Sequence, residues 1–320
     1  MLPHLERILI TGGSGTLGYN VVRDLGQRYP QSKLRILMRA PDDALFADLP
    51  NVSLQQVELA DTAALTGAVA SFQPNAIIHC AASGVRPNKL SYFDFVDLNV
   101  SATMHLFHAS CMIDGCHFIQ ISTGLVYGSQ TRPCREDDPI NTLHPYGASK
   151  AAADCLLRAG AERLSRHLTI LRPFSFTGLH DGGDRLFPSL LQAALDGKPF
   201  GMSAGTQLRD FCSVEDVVSA IALVLEEGEQ ASRDIFNVGS GLSISLGRIV
   251  RSVVRQLDLN VEVRLGERPF HPLEPNYLVA DISRMKSLGW QPRVNLAYSV
   301  WELAQTNFKT LAVSQPEKYK

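Results

Sequence analysis

The chain has 320 residues, 45% of them hydrophobic, which is enough for one large core or two adjoining ones. Its 30 Lys and Arg stand against 32 Asp and Glu, for a formal charge of −2, and no basic block could neutralise a run of phosphates, so nucleic-acid binding is not expected. No stretch approaches the roughly 20 apolar residues of a membrane span and the N-terminal residues carry no leader pattern, so the expectation is a soluble, cytoplasmic protein without membrane partners.

In chain order, short β-branched runs alternate with amphipathic stretches. Strands are expected at 7–11, 33–39, 52–58, 76–81, 117–122 and 168–172, with helices beginning near Gly15, Thr62, Phe95 and Tyr146. That alternation predicts an α/β protein with a doubly wound parallel sheet, whose ligand site lies at the carboxyl ends of the strands. After Arg172 the rhythm changes to loops rich in Gly and Pro, notably Thr177-Gly178-Leu179-His180-Asp181-Gly182-Gly183. Helices are expected at 186–196, 246–257 and 296–308, and the C-terminal third also carries the run Ile235-Phe236-Asn237-Val238-Gly239. The expected division is a first domain over 1–172 and a smaller C-terminal α/β lobe over 173–320, with about 207–239 packing back on the first. Residues 315–320 read as a frayed tail. Six cysteines are scattered without a CxxC pair, the pattern of buried free thiols.

The segment Thr11-Gly12-Gly13-Ser14-Gly15-Thr16-Leu17-Gly18 follows the first strand and opens a helix. Glycines there let the backbone approach a pyrophosphate, which the free N–H groups of the helix start then bind. Gly13, Gly15 and Gly18 spell GxGxxG, while Gly12, Gly15 and Gly18 spell TGxxGxxG, so a dinucleotide site is expected. At the end of the second strand an acid would accept from a ribose 2′-OH and an arginine would accommodate a 2′-phosphate. Arg39 stands there, with no carboxylate until Asp42. NADP(H) is therefore favoured and NAD(H) remains possible; the alternative is that Arg39 is a solvated cation and Asp42 or Asp43 meets the ribose.

The segment Pro145-Tyr146-Gly147-Ala148-Ser149-Lys150 opens another helix, and its spacing puts Tyr146 and Lys150 on one face. An ammonium beside a phenol stabilises the phenolate and makes it useful for proton transfer near neutral pH. A bare YxxxK also arises by chance as a core aromatic beside a surface lysine. The strand ending in Ser122-Thr123 brings hydroxyls to the same edge of the sheet, and the glycine turn already places a cofactor there.

With these motifs the chain resembles the extended short-chain dehydrogenases/reductases, and within them the nucleotide-sugar epimerase/dehydratase family. Further matches are Val57-Glu58-Leu59, His79-Cys80-Ala81-Ala82, Asn99, Ser122-Thr123-Gly124-Leu125-Val126-Tyr127-Gly128 and Leu171-Arg172-Pro173-Phe174-Ser175. Arg209-Asp210-Phe211, Glu215-Asp216-Val217, Phe236-Asn237-Val238-Gly239 and Leu288-Gly289-Trp290-Gln291-Pro292 follow in order. The resemblance implies a Rossmann-type sheet, Tyr146 as acid/base, Lys150 as its pKa tuner and ribose ligand, and Thr123 as the hydroxyl on the reacting oxygen. It implies a cofactor held by Gly12, Gly15, Thr16, Leu17, Gly18, Arg39, Glu58, Leu59, Ala81, Ala82, Asn99, Ser122, Tyr146, Lys150 and Pro173. A nucleotide sugar would meet Thr123, Ser175, Arg209 and Arg268, with the guanidinium of Arg209 on the diphosphate. For Arg209 the plainer reading is an ion pair with Asp210 or Asp216. A homodimer through the helices at 95–109 and 146–164 is implied as well.

The chain departs from the family where dehydratases carry Thr-Asp-Glu, because Thr123 is followed by Gly124 and Leu125. That disfavours 4,6-dehydration. Fucose-synthase-type epimerase-reductases carry a cysteine at Leu125 paired with a histidine near His180, so His180 lacks that partner. Ser175 replaces the usual asparagine, and His271 falls where the family commonly has arginine, three residues after Arg268. The first expectation is NADPH-dependent reduction of a nucleotide-linked 4-keto-6-deoxyhexose, and the runner-up is a 4-epimerase with retained NAD. Reduction of a ketone that carries no nucleotide comes third, and a silent dinucleotide sensor is the reading from a different class.

Overall fold

Ile8, Leu9 and Ile10 are completely buried, and so are Ile77 and Ile78. Apolar runs without polar alternation suit strands covered on both faces, which is the environment of a parallel sheet. The computed structural model describes residues 5–83, 91–232 and 234–319. It contains β1 (Arg7–Thr11), α1 (Thr16–Arg28), β2 (Lys33–Met38), β3 (Val52–Gln56), α2 (Thr62–Phe72), β4 (Ala76–His79), α3 (Tyr92–Val96) and α4 (Ala102–Ser110). Next come β5 (His117–Ile121), α5 (Pro145–Leu164), β6 (His167–Pro173), β7 (Ser175–Thr177), α6 (Leu186–Leu195), β8 (Phe200–Met202), β9 (Leu208–Arg209) and β10 (Phe211–Ser213). The remainder is α7 (Val214–Glu227), β11 (Ile235–Val238), β12 (Ile244–Ser245), α8 (Leu246–Gln256), β13 (Val263–Leu265), β14 (Tyr277–Leu278), α9 (Ser283–Ser287) and α10 (Leu296–Asn307).

The main sheet has seven strands in the order β11-β6-β5-β4-β1-β2-β3. β1 pairs in parallel with β2 on one side and β4 on the other, so the strand order reverses at the edge where the glycine turn leaves β1. This is the switch point of a doubly wound sheet. The expected α/β class and Rossmann-type sheet are thus present, and the strand ends fall within two residues of expectation.

The chain divides into two units: Met1–Val126, Thr142–Arg172 and Val218–Phe236 form the first, and Tyr127–Asn141, Pro173–Val217 and Asn237–Lys320 the second. In the first, Leu9, Ile77, Phe118 and Ile170 of the sheet pack with Leu65, Phe72, Leu106, Phe107 and Leu157 of α2, α4 and α5. In the second, Phe187, Leu191, Ile249, Val253, Val300 and Leu303 join α6, α8 and α10. Between α3 and α4 the helix passes through a π-helical segment, Asp97–Ser101, which holds Asn99. Among the described residues no helix is long and apolar enough to cross a membrane.

Two expectations are corrected. The C-terminal residues do not fray: Asn295 N–H donates to the Lys318 carbonyl at 2.8 Å and Tyr319 bridges to Val294. Lys318 is held by Glu215 at 3.2 Å and lies 5.0 Å from the centre of the Tyr298 ring, so the tail has charge and aromatic partners that its polar composition did not announce. Of the cysteines, all free, Cys116, Cys134 and Cys212 are buried and Cys80 and Cys111 half-buried, whereas Cys155 is exposed on α5.

Candidate active site

The glycine turn is a close-packed cradle. Gly12 has φ 76°, and a Cβ there would lie 2.6 Å from the Ala81 nitrogen at the end of β4. A Cβ at Gly18 would collide with the Gly12 carbonyl, whereas one at Gly15 would come no closer than 3.4 Å to it. Gly12 and Gly18 therefore serve backbone packing, while Gly15 stands on the open side. α1 starts at Thr16 after Gly15, which has no side chain to cap it, and its first turn carries no acid. That end of the helix stays suited to an anion. Leu17 and Gly18 are buried beneath it.

Arg39 follows β2 and is exposed; its carbonyl accepts from Gln56 Nε2 at 3.0 Å. Among the described residues no carboxylate forms an ion pair with it. Asp42 spends its side chain capping a short turn, accepting from Ala44 N–H at 3.1 Å. Glu58 is exposed and Leu59 half-buried beyond β3.

Beside the cradle, a buried polar network ties two strands to two helices. His79 bridges the hydroxyls of Thr11 (2.6 Å) and Thr103 (2.9 Å), and burial with the nearby Lys150 charge lowers its imidazole to about 3, so it stays neutral. Ala81 N–H donates to the Thr11 hydroxyl at 3.3 Å. Asn99 donates to the Ser83 carbonyl and to the Ser149 hydroxyl, which in turn donates to the Tyr146 carbonyl at 2.9 Å. Asn99 thus fixes the loop carrying Ala81 and Ala82 against the first turn of α5.

α5 begins with Pro145 at its first position, where a missing N–H costs nothing. Tyr146 and Lys150 are both buried, Lys150 completely. The Thr123 hydroxyl accepts from Leu125 N–H at 3.2 Å, within a tight turn at Gly124–Tyr127. A Cβ at Gly147 would lie 2.8 Å from the Leu125 carbonyl, so the start of α5 packs directly on the turn after Thr123. The structure therefore brings Thr123, Tyr146 and Lys150 into one neighbourhood of the first unit. Burial lowers the Lys150 ammonium to about 8, against the pull of Asp154, and its Nζ has no hydrogen-bond partner among the described residues. Ser122 donates its hydroxyl to Asp154 at 2.7 Å.

In the second unit Pro173 is buried and Ser175 half-buried, with Ser175 N–H on the Asp210 carbonyl at 3.1 Å. Arg209 is buried, and its ion-pair partner is neither Asp210 nor Asp216. Its Nη2 meets Glu274 at 2.7 Å and its Nη1 the Leu208 carbonyl at 3.0 Å. Asp210 instead accepts from Ser240, Gly241 and Ala280, and Asp216 from Arg293 and Val294. Tyr127 donates to Asn237 at 2.8 Å. Several recurring residues are thus scaffold. Arg268 is exposed and tied through its backbone to Met202 at 3.2 Å. His180 holds a left-handed φ of 63°.

Sequence reasoning missed Glu274 and Asp154. Glu274 lies 65 positions from Arg209 and carries no motif. Asp154 had a signal in its four-residue spacing from Lys150 on the same helix face.

The chain matches the NAD dependent epimerase/dehydratase family over residues 8–239. It belongs to this family. It is an extended short-chain dehydrogenase/reductase and an enzyme of the epimerase/dehydratase type. The chain is 29% identical over 300 residues to the low-salt glycan biosynthesis protein Agl12 of Haloferax volcanii, covering 89% of this chain and 93% of that protein. It is 26% identical over 313 residues to a UDP-glucose 4-epimerase of Lactobacillus helveticus, covering 90% and 92%. With a dTDP-glucose 4,6-dehydratase of Neisseria meningitidis it shares 28% over 320 residues, covering 90% and 89%. Among solved structures, MoeE5 in complex with UDP-glucuronic acid and NAD superposes with a TM-score of 0.82 at 27% identity, covering 95% of this chain and 100% of that one.

Proposed function

We propose that the chain is a nucleotide-sugar 4-epimerase that retains NAD. One observation carries this reading: Thr123, Tyr146 and Lys150 share a neighbourhood in which the turn after Thr123 offers Gly124 and Leu125, not acids. Hydride transfer has its acid/base there, while water elimination has no carboxyl group to assist it. The similarity to a 4-epimerase and to a protein solved with NAD and a UDP-sugar supports the same choice.

The cradle fits a dinucleotide, since Gly15 is open where Gly12 and Gly18 are not, and the buried Lys150 Nζ offers unused donors to a ribose. NAD, when bound, supplies the hydride acceptor and returns the hydride. Tyr146 takes the proton from the sugar C4 hydroxyl and gives it back after the oxidised sugar has turned its other face. Lys150, charged at neutral pH, stabilises the phenolate, and the Thr123 hydroxyl donates to the reacting oxygen. Arg209 meets the diphosphate.

Exposed Arg39 favours a second reading, NADPH-dependent reduction of a nucleotide-linked 4-keto-6-deoxyhexose. Incubation with UDP-, CDP- and dTDP-hexoses without added cofactor is expected to interconvert C4 epimers. NADPH oxidation with 4-keto-6-deoxy sugars, without such interconversion, would hand the site to the reductase. No conversion by either route, with Tyr146→Phe binding NAD as the parent does, would leave a dinucleotide sensor.

The exposed Tyr92, Phe93 and Val96 of α3 and Leu156 of α5 favour a homodimer, with a second copy covering them. Light scattering is expected to give twice the chain mass, reduced to one by Phe93→Glu with Leu156→Glu.

A further inference from the structure

We propose that Asp154 is a positioning residue that holds the Lys150 ammonium charged within the apolar interior. The inference rests on the assignment of Lys150 to the reacting centre. Lys150 and Asp154 are one helical turn apart on the same face of α5, at 0% and 1% exposure. A buried ammonium without a counter-charge sheds its proton or drives the lysine out.

The groups facing Lys150 narrow the choice of counter-charge. From the end of β4 come His79, a neutral imidazole bound on both nitrogens, and Cys80, whose thiol burial pushes up to about 12. Neither is an anion near neutral pH. Asp154 is the carboxylate that acts on Lys150, raising its affinity for the proton against desolvation.

Asp154 is itself anchored from two strands. One oxygen, Oδ2, accepts from the Ser122 hydroxyl at 2.7 Å and from Arg172 Nε at 3.3 Å. The other, Oδ1, has no hydrogen-bond partner among the described residues, and neither has Lys150 Nζ. Ser122 at the end of β5 and Arg172 on β6 therefore fix the carboxylate while leaving its second oxygen uncommitted. Arg172 acts on Asp154, favouring its charged form, and Asp154 acts in turn on Lys150. The arrangement is a chain of alternating charge, Arg172 to Asp154 to Lys150, one helical turn beyond Tyr146 on α5.

The experiment is unfolding of the full chain by denaturant between pH 6.5 and 10.5, with no substrate present. Measured against Lys150→Met in the same background, which cancels the opposing titration of the buried thiols, the parent gains stability as pH rises from about 8 toward 10.5, because folded Lys150 gives up its proton before the unfolded lysine does. In Asp154→Asn that gain is expected to begin about one pH unit lower. Asp154→Glu should restore the parental onset, and in the Lys150→Met background Asp154→Asn should leave the pH dependence of stability unchanged. The double variant Asp154→Asn with Arg172→Gln, which removes both charges, should keep the lowered onset, and it carries the comparison if Asp154→Asn alone does not fold. A parental onset in either Asp154→Asn protein would overturn the proposal, because Asp154 would then serve only to neutralise Arg172. The alkaline limb of kcat/KM should move with the onset. A shifted onset in a protein that converts no sugar nucleotide would uphold the role of Asp154 and sink the epimerase reading instead.

Discussion

Lys150→Met is expected to yield a protein that is more stable at neutral pH and nearly inactive. The lysine is completely buried and its ammonium is lowered from the ordinary 10.5 to about 8. That difference corresponds to about 3 kcal/mol by which folding disfavours the charged form. The sign follows from proton binding: between about 8 and 10.5 the unfolded lysine holds the extra proton, so the contribution of Lys150 to stability rises with pH across that window. Below about 8 the full penalty applies; above 10.5 it is gone. Methionine fills similar space without a charge and never incurs it. Denaturant unfolding should therefore show Lys150→Met ahead by about 3 kcal/mol at pH 7, with the gap closing as pH approaches 10.5. Turnover should fall about 10³-fold, the scale of losing a tuned acid/base. Such a trade of stability for function is characteristic of a reacting centre. An active Lys150→Met enzyme, or one no more stable than the parent at pH 7, would contradict both the buried charge and its use.

The features legible in the sequence are those encoded by neighbours along the chain. The glycine turn sits between β1 and α1 because Gly12 and Gly18 are the only residue type that leaves room for the Ala81 backbone and for the Gly12 carbonyl. Tyr146 and Lys150 could be placed on one face because helix periodicity guarantees it. Partnerships across the chain were not legible. Glu274 meets Arg209 through a loop whose path no local pattern sets, and the expected partners Asp210 and Asp216 are consumed by backbone N–H groups of distant loops. The tail misled for the same reason: Lys318 is ordered by Glu215 and Tyr298, which sequence distance hides. Motif strength also proved a poor guide to chemistry, since Tyr127, Asn237, Asp210 and Asp216 hold loops together.

Arg209→Leu is expected to weaken binding of UDP about 50-fold and to leave NAD affinity unchanged, the loss being that of a charge-assisted, two-pronged contact. Arg209 is buried on β9 with one nitrogen on Glu274 at 2.7 Å and another on the Leu208 carbonyl at 3.0 Å. Burial lowers its affinity for the proton, and Glu274 offsets part of that loss. A guanidinium carries five N–H donors in a planar fork, so these two bonds leave donors for phosphate oxygens. Glu274 competes for the same charge, and Glu274→Gln is expected to tighten UDP binding several-fold by removing a carboxylate that a diphosphate must approach. Arg209→Lys should recover only part of the affinity, because an ammonium cannot hold Glu274 and a phosphate in the same bidentate geometry. Calorimetric titration with UDP, with NAD as the control ligand, reads all three. Folding should tolerate Arg209→Leu, since Glu274 is 30% exposed and can turn to water. Unchanged UDP affinity in that variant would remove Arg209 from the substrate site and reduce its interaction with Glu274 to a structural ion pair.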